Sequence, residues 1–388
     1  METTADLEPM FKPFRCGTLE LKNRVVMAPM GRNFAQGGVV GPAYREYYAR
    51  RARAGVALCV SEAAAIGHPV ASTDVMHANF FGDEALAAWR AVVDAVHDAG
   101  GSFMPQIWHA GMLRGPAGSD MVPNGELSPI GPSGWAEPLV QPMGWVNAID
   151  HAQQLNDPMT ESDIADVIAA FGKAAADAKV VGADGVQIHA AHGYLIDQFF
   201  WDRTNRRTDG YGGDLVARTR FAVEVVRECR RQAGDDFPIV LRWSQWKQQD
   251  YRVKLAHSPQ ELERFLAPLS GAGIDIFDCS TRRFWEPEFE GSDLNLAGWT
   301  KKLTGKPTIT VGSIGLDKEN WIEGDEMPLS DAGIASLAPL MERLDRDEFD
   351  LVAIGRALIV NPEWPLLLKQ GRLDQLRPYS NQSLMELA

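Results

Sequence analysis

His189 and His192, three residues apart, are followed by Tyr194 at the close of an apolar run. Three readings compete for such a cluster. As metal ligands the histidines would need a third ligand and carboxylates to complete a sphere. Asp197 is the only acidic residue close by in sequence, so no metal is expected. As satisfied polar groups at a rim they would do no chemistry. As paired donors they would hold one substrate oxygen, in the manner of an oxyanion hole, with Tyr194 ready to give a proton. That last arrangement suits activation of a carbonyl or nitro group for reduction. No serine or cysteine with an evident base closes a strand, so covalent hydrolysis lacks support.

Other residues at strand ends carry chemistry of their own. Arg242 sits in an apolar strand with few acidic neighbours in sequence. It either pairs with a distant carboxylate or stabilises an anion. Gln106, also within an apolar strand, offers a donor and an acceptor on one amide, which suits the edge of a heterocycle. "VGSIG" (311–315) and "IGRA" (354–357) resemble a phosphate cradle. Gly312, Ser313 and Gly355 would bring backbone N–H groups close, and Arg356 would add a bidentate cation.

These groups need a scaffold that gathers eight strand ends. Continuous apolar runs at 24–30, 55–63, 101–110, 184–190, 237–244, 273–280, 306–314 and 349–357 read as strands covered on both faces. Helical periods lie between them at 43–54, 84–99, 160–181, 214–233, 258–271 and 331–345, with a closing helix near 362–370. In the clearest, Thr160 and Asp163 resemble a capping box, and Ile164, Val167, Ile168, Phe171 and Ala175 share a face. The alternation predicts a (β/α)8 TIM barrel, a single domain over residues 1–388. The rival, an open doubly wound sheet, lacks a Gly-x-Gly-x-x-Gly turn after an early strand. Residues 111–158, rich in Gly, Pro and Trp, read as a long excursion over the mouth after strand 3.

A net charge of −14 argues against a nucleic-acid or anionic-membrane partner. No run approaches the ~18 apolar residues that cross a bilayer, and the start resembles no secretory signal. A cytoplasmic location is expected. Cys59 and Cys279 lie in apolar runs and read as reduced, buried thiols.

From "LKNRVVMAPM" (21–30) through "QIWHAG" (106–111), "GVQIHAAHGYLIDQFF" (185–200) and "NRRTDGYGG" (205–213) to "DLVAIGRALIVNPEW" (350–364), the chain resembles the old yellow enzyme family of FMN-dependent ene-reductases, the NADH:flavin oxidoreductases. The resemblance implies bound FMN, with NADPH or NADH as co-substrate and a small enone-type acceptor. Ala28, Pro29 and Met30 would lie against the isoalloxazine, with Gly31 and Ala63 nearby. Gln106 would bond the pyrimidine edge, and Arg242 would face N1/O2 of the reduced ring. Gly312, Ser313, Gly355 and Arg356 would hold the phosphate. His189 and His192 would bind the acceptor's oxygen, and Tyr194 would protonate the alkene carbon. Family habit implies a homo-dimer or higher homo-oligomer, and "NRRTDGYGG" would build the turn into the next helix.

Two departures stand out. The family usually has Thr or Cys where this chain has Gly31, and a His/Asn pair is common where this chain has His189 and His192. A missing donor at Gly31 would lower the flavin potential and favour oxidative use of the site, as a desaturase or demethylase. Segment 282–300 carries no family motif, and Trp285 and Trp246 read either as pocket walls or as buried packing. A phosphate-binding aldolase or isomerase would want a Schiff-base lysine at a strand end, which is not seen. A binding module with dead chemistry sits poorly with an intact Tyr194.

Overall fold

The computed structural model describes residues 6–114, 118, 121–134, 156–318 and 331–387. Its centre is a closed barrel of eight strands: β1 (Val25–Met27), β2 (Leu58–Ala65), β3 (Ser102–Trp108), β4 (Val186–His192), β5 (Ile239–Lys247), β6 (Ile276–Ser280), β7 (Thr308–Val311) and β8 (Leu351–Ile354). Every pairing is parallel and joins chain neighbours, and β8 returns to β1. All eight predicted runs are strands, because each must be apolar on both faces. Val26, Leu58, Val60, Met104, Val240, Ile276, Ile309 and Leu351 pack with one another inside the barrel. Their neighbours of opposite parity, such as Val25, Cys59, Ile239, Leu241 and Val352, pack into the larger core beneath the helices. A hairpin of Phe14–Cys16 and Leu19–Leu21 adds Leu19 and Leu21 to the interior cluster. Thr18 Oγ1 donates to the carbonyl of Asp236 just before β5, which places the hairpin at the N-terminal end.

The outer helices start and stop where local chemistry dictates. Glu161–Val180 has the expected capping box, Thr160 and Asp163 each bonding the other's backbone N–H, and it buries Ile164, Val167, Phe171 and Ala175. Pro42–Arg53 and Pro259–Gly271 begin on proline, where the missing N–H costs nothing. Leu296–Thr304 was not expected. It is capped by the Asn295 side chain on the N–H of Gly298 and ends at Gly305 with φ 69°. The expected helix at 331–345 is shorter, Ala338–Asp345. Ahead of it, Ala332 bridges to Tyr379 and Ile334 to Leu316. The closing helix is two short ones, Arg356–Val360 and Trp364–Lys369. Much of the excursion at 111–158 lies outside the described residues. No helix among those described is long and apolar enough to cross a membrane.

Two strands break register at their C-terminal ends: β2 against β3 between Val60 and Ala63, and β4 against β5 between Ala190 and His192. Such bulges re-aim the side chains that follow them. Both fall at the end of the barrel where the candidate residues gather.

Candidate active site

A chain of buried polar side chains crosses the barrel under its mouth. Gln106 Nε2 donates to Gln187 Oε1 at 2.6 Å, and Gln187 Nε2 donates to Asp278 Oδ2 at 2.9 Å. Asp278 Oδ2 also receives Arg242 Nη1 at 2.5 Å, and Arg242 Nη2 donates to Ser280 Oγ at 3.3 Å. Ser280 Oγ lies 2.8 Å from His192 Nε2. Burial pushes the Asp278 carboxyl upward and the Arg242 guanidinium draws it back, which keeps a carboxylate beneath a fixed cation. The sequence raised both a structural pair and an anion role for Arg242. The pair exists, and the guanidinium still lines the cavity above it.

That cavity, about 210 Å³, is bounded by Ala28, Pro29 and Met30 after β1 and by His192, Arg242 and Trp246 from β4 and β5. Gly312, Ser313, Gly355 and Arg356 close its far end, after β7 and β8. Ten of the residues singled out in the sequence thus meet in one space. The others stand around it. Ala63 is in register with Gln106 on the neighbouring strand. Gly31 is exposed just past Met30, on a loop held by Glu62, whose Oε2 accepts the N–H groups of Arg32 (2.6 Å) and Asn33 (3.2 Å). His189 packs edge-on to His192 at 5.1 Å between ring centres and to Tyr194 at 5.0 Å.

A backbone bond assigns the proton of one imidazole, and a hydroxyl faces the other. The N–H of Ala191 donates to His189 Nδ1, so the neutral ring carries its hydrogen on Nε2. Ser280 Oγ accepts from Arg242 and shares one hydrogen with His192 Nε2, and with the hydroxyl as donor in that bond the His192 hydrogen is on Nδ1. Burial, with help from Arg242, holds both imidazoles well below their ordinary pKa. Burial moves Tyr194 the other way, keeping its phenol protonated, against a smaller opposing pull from a bond to Gln248. Trp246 stacks on His192 at 4.4 Å and donates Nε1–H to the carbonyl of Ser280. Trp246 therefore walls the cavity. Trp285 does not: it is absent from the cavity lining and packs against Phe284.

The cradle at β7 and β8 has the opposite character. Among the described residues, the backbone N–H groups of Gly312, Ser313 and Gly355 make no hydrogen bond. Ser313 is held at φ 50°, its Oγ bonded to the carbonyl of Arg282, and Arg356 Nη2 lies 3.4 Å from that Oγ. Unspent amides beside an arginine fit a phosphate. The amide of Gln106 and the buried cation of Arg242 fit the polar edge of a flavin ring.

Sequence reasoning missed Gln187, Asp278 and Ser280. The first two are lone polar residues in apolar strands, and a buried Asp and a buried Arg on candidate strands are a signal that they need one another. "NRRTDGYGG" builds a turn as expected. Asn205 Nδ2 bonds the carbonyls of Phe199 and Tyr211, and Arg207 reaches those of Pro132 and Met159.

A family model for NADH:flavin oxidoreductases and NADH oxidases matches residues 9–375. The chain is 32% identical over 377 residues to the NADH oxidase of Thermoanaerobacter brockii, covering 95% of this chain and 52% of that protein. It thus spans about half the length of that relative. It is 38% identical over 350 residues to 12-oxophytodienoate reductase 7 of Oryza sativa subsp. japonica, covering 78% and 86%. Among solved structures, morphinone reductase in complex with tetrahydroNAD superposes with a TM-score of 0.75 at 26% identity, covering 97% and 93%. The old yellow enzyme homologue from Zymomonas mobilis shares the fold, with a TM-score of 0.74 at 24% identity over 98% and 99%.

Proposed function

The chain belongs to the NADH:flavin oxidoreductase / NADH oxidase family, and on that premise we propose that it reduces activated C=C bonds in α,β-unsaturated carbonyl or nitro compounds. FMN, the family's cofactor, supplies hydride transfer when bound, with NADPH or NADH as its reductant. The observation that carries the reading is the cluster of two neutral imidazoles and a protonated phenol, in which His192 lines the cavity beside Arg242 and His189 packs edge-on against both His192 and Tyr194.

Each residue has a task set by its surroundings. His189 Nε2–H and His192 Nδ1–H are the two donors for an acceptor's oxygen, whose rising negative charge in the transition state they stabilise. Neutral rings suit this task, since their pKa values keep them from giving up or taking protons near neutrality. Tyr194 holds the proton destined for the alkene carbon next to the activating group. Arg242, fixed by Asp278, faces the site where a reduced ring would carry charge. Gln106 would hold the pyrimidine edge, and Gly312, Ser313, Gly355 and Arg356 would hold the phosphate. Ala28, Pro29, Met30, Gly31 and Ala63 would make the apolar wall against the ring.

The test is an anaerobic visible spectrum of the purified protein before and after NADPH or NADH, then after 2-cyclohexenone. Bleaching of a flavin band followed by return of colour is the expected outcome. A flavin that bleaches and stays colourless counts against enone reduction. A protein that neither carries nor takes up FMN removes the whole reading. One observation favours a second use of the same site: Gly31 offers no side-chain donor where the family usually has one, and a lower potential would suit an oxidative substrate step, as in a desaturase or demethylase. Product analysis with oxygen excluded separates the two directions.

A further inference from the structure

We infer that the buried ion pair of Asp197 and Lys247 is a positioning device for the turn His192–Gly193–Tyr194, an inference that rests on the reading of that turn as the oxygen-binding and proton-giving element. Both side chains are completely buried, with Nζ 2.6 Å from Oδ1. Neither side chain has any exposed surface, so neither can touch a substrate. Taking two charges out of water is expensive, and apolar residues of similar volume often stabilise a core at least as well. A pair retained in such a place therefore calls for a geometric reason.

The reason lies in what the two ends grip. Asp197 Oδ2 accepts the backbone N–H of Gly193 at 2.7 Å. Lys247, which pairs in register with His192 across the β4 bulge, also donates to the carbonyl of Ser244. Ser244 Oγ accepts the N–H of His192 at 3.0 Å. One ion pair thus ties the residue after His192 to the strand segment that holds His192 itself. The turn needs such restraint, because His192 (φ 66°) and Gly193 (φ 80°) are consecutive residues in the left-handed region. A non-glycine residue keeps that conformation only where its surroundings over-determine it. The Gly193 carbonyl is held as well, by Gln198 Nε2 at 2.8 Å and Gln249 Nε2 at 3.1 Å. A Cβ at 193 would stand 1.9 Å from Gln249 Oε1, so any other residue would displace that side chain and its bond as well as strain the left-handed turn. A carboxylate bonds an N–H more strongly than a neutral oxygen does, and the lysine keeps that carboxylate charged and aimed.

The test compares FMN-loaded wild type with Lys247→Met and Asp197→Asn. The probe is 4-hydroxybenzaldehyde, whose phenolate oxygen would sit between the two imidazoles. Its dissociation constant is read from the perturbed flavin spectrum, alongside the flavin's midpoint potential and the affinity for FMN. Lys247→Met should weaken the phenol at least tenfold and alter its difference spectrum. Asp197→Asn, which keeps an oxygen for Gly193 but loses the charge, should weaken it severalfold. Potential and FMN affinity should stay at wild-type values, because Gln106, Arg242 and the cradle are untouched. A Lys247→Met enzyme that binds the phenol as wild type does overturns the inference. So does one whose FMN affinity falls in parallel, since that marks general packing. Should Lys247→Met not be recovered as a flavoprotein, unchanged phenol binding by Asp197→Asn overturns it alone. A wild type that takes up FMN and ignores the phenol refutes the reading of the turn instead.

Discussion

The two ends of the cavity are built on opposite plans. At β7 and β8 the donors are chiefly backbone amides, those of Gly312, Ser313 and Gly355, joined by one side chain, Arg356, whose Nη2 donates to the Lys318 carbonyl at 2.7 Å and lies 3.4 Å from Ser313 Oγ. At β4 and β5 the donors are side chains, each pinned by at least one further bond and, for the turn, by a buried ion pair. A site for a constant anion can be made of main chain, where only conformation and close approach matter. A site that activates a substrate oxygen and releases a proton needs chosen tautomers, and each tautomer needs a supporting partner.

The sharpest way to break that contrast is to remove the proton and nothing else. Tyr194→Phe should slow reoxidation by 2-cyclohexenone by roughly 10²–10⁴-fold, measured by rapid mixing. Reduction by NADPH or NADH and FMN affinity should hold near wild-type values. Equal losses in both half-reactions would mean that the phenol shapes the pocket and gives no proton.

The cradle end makes a complementary forecast. Gly312 has φ 148°, and a Cβ there would lie 2.6 Å from Thr281 Oγ1 and 2.8 Å from the Thr281 carbonyl. Strain of that kind costs on the order of 1–3 kcal/mol. Gly312→Ala should therefore weaken FMN by about tenfold or more, by equilibrium dialysis, while phenol binding to the reloaded enzyme stays intact. A loss of phenol binding alone would show that the two ends are not separate.

This division also explains what was legible in the sequence. The barrel was, because eight double-faced strands leave eight apolar runs. The meeting of Gly312, Ser313, Gly355 and Arg356 at one end of the cavity was, because glycine after a strand is a conformational statement. The helix Leu296–Thr304 was not: it is short and carries Gly298, and only Asn295 and Gly305 marked its ends. The supporting bonds were hidden most deeply. Asp278 joins Arg242 across 36 positions and Lys247 joins Asp197 across 50, and no local period encodes either. β5 was expected to stop at residue 244, but it runs on to Lys247 and carries that lysine inward. Asp197 was weighed only as a metal ligand, and its partner is an ammonium.

Neutral imidazoles at the β4 end carry a stability signature. His189 is buried and held well below its ordinary pKa by burial and by Arg242. The unfolded chain binds its proton near pH ~6.5, so below that value the unfolded state holds more protons than the folded one. The contribution is fully present above pH ~6.5 and is lost as pH falls toward the folded pKa. Between pH 7.5 and 5.5 one such histidine removes about 1.4 kcal/mol. Denaturant unfolding of the holoenzyme at those two values should show a loss smaller by that amount in His189→Asn. Parallel losses would mean that His189 titrates normally when folded, and its assigned tautomer would go with it.

The smallest effect should come from the wall between the two ends. Gly31 stands where the family usually has Thr or Cys, and an added Cβ would meet only Asn33 Oδ1, at 3.5 Å. Space for a side chain therefore exists, on a loop already fixed by Glu62 through the amides of Arg32 and Asn33. Gly31→Thr should add one donor toward the ring without moving its frame. One net hydrogen bond is worth about 0.5–1.5 kcal/mol, or about 10–30 mV for a two-electron couple. The donor stabilises the more negative, reduced form, so the midpoint potential should rise. Xanthine oxidase-coupled reduction with a reference dye resolves a shift of that size. An unchanged potential would mean that residue 31 does not tune the ring, and the oxidative reading would lose its one supporting observation.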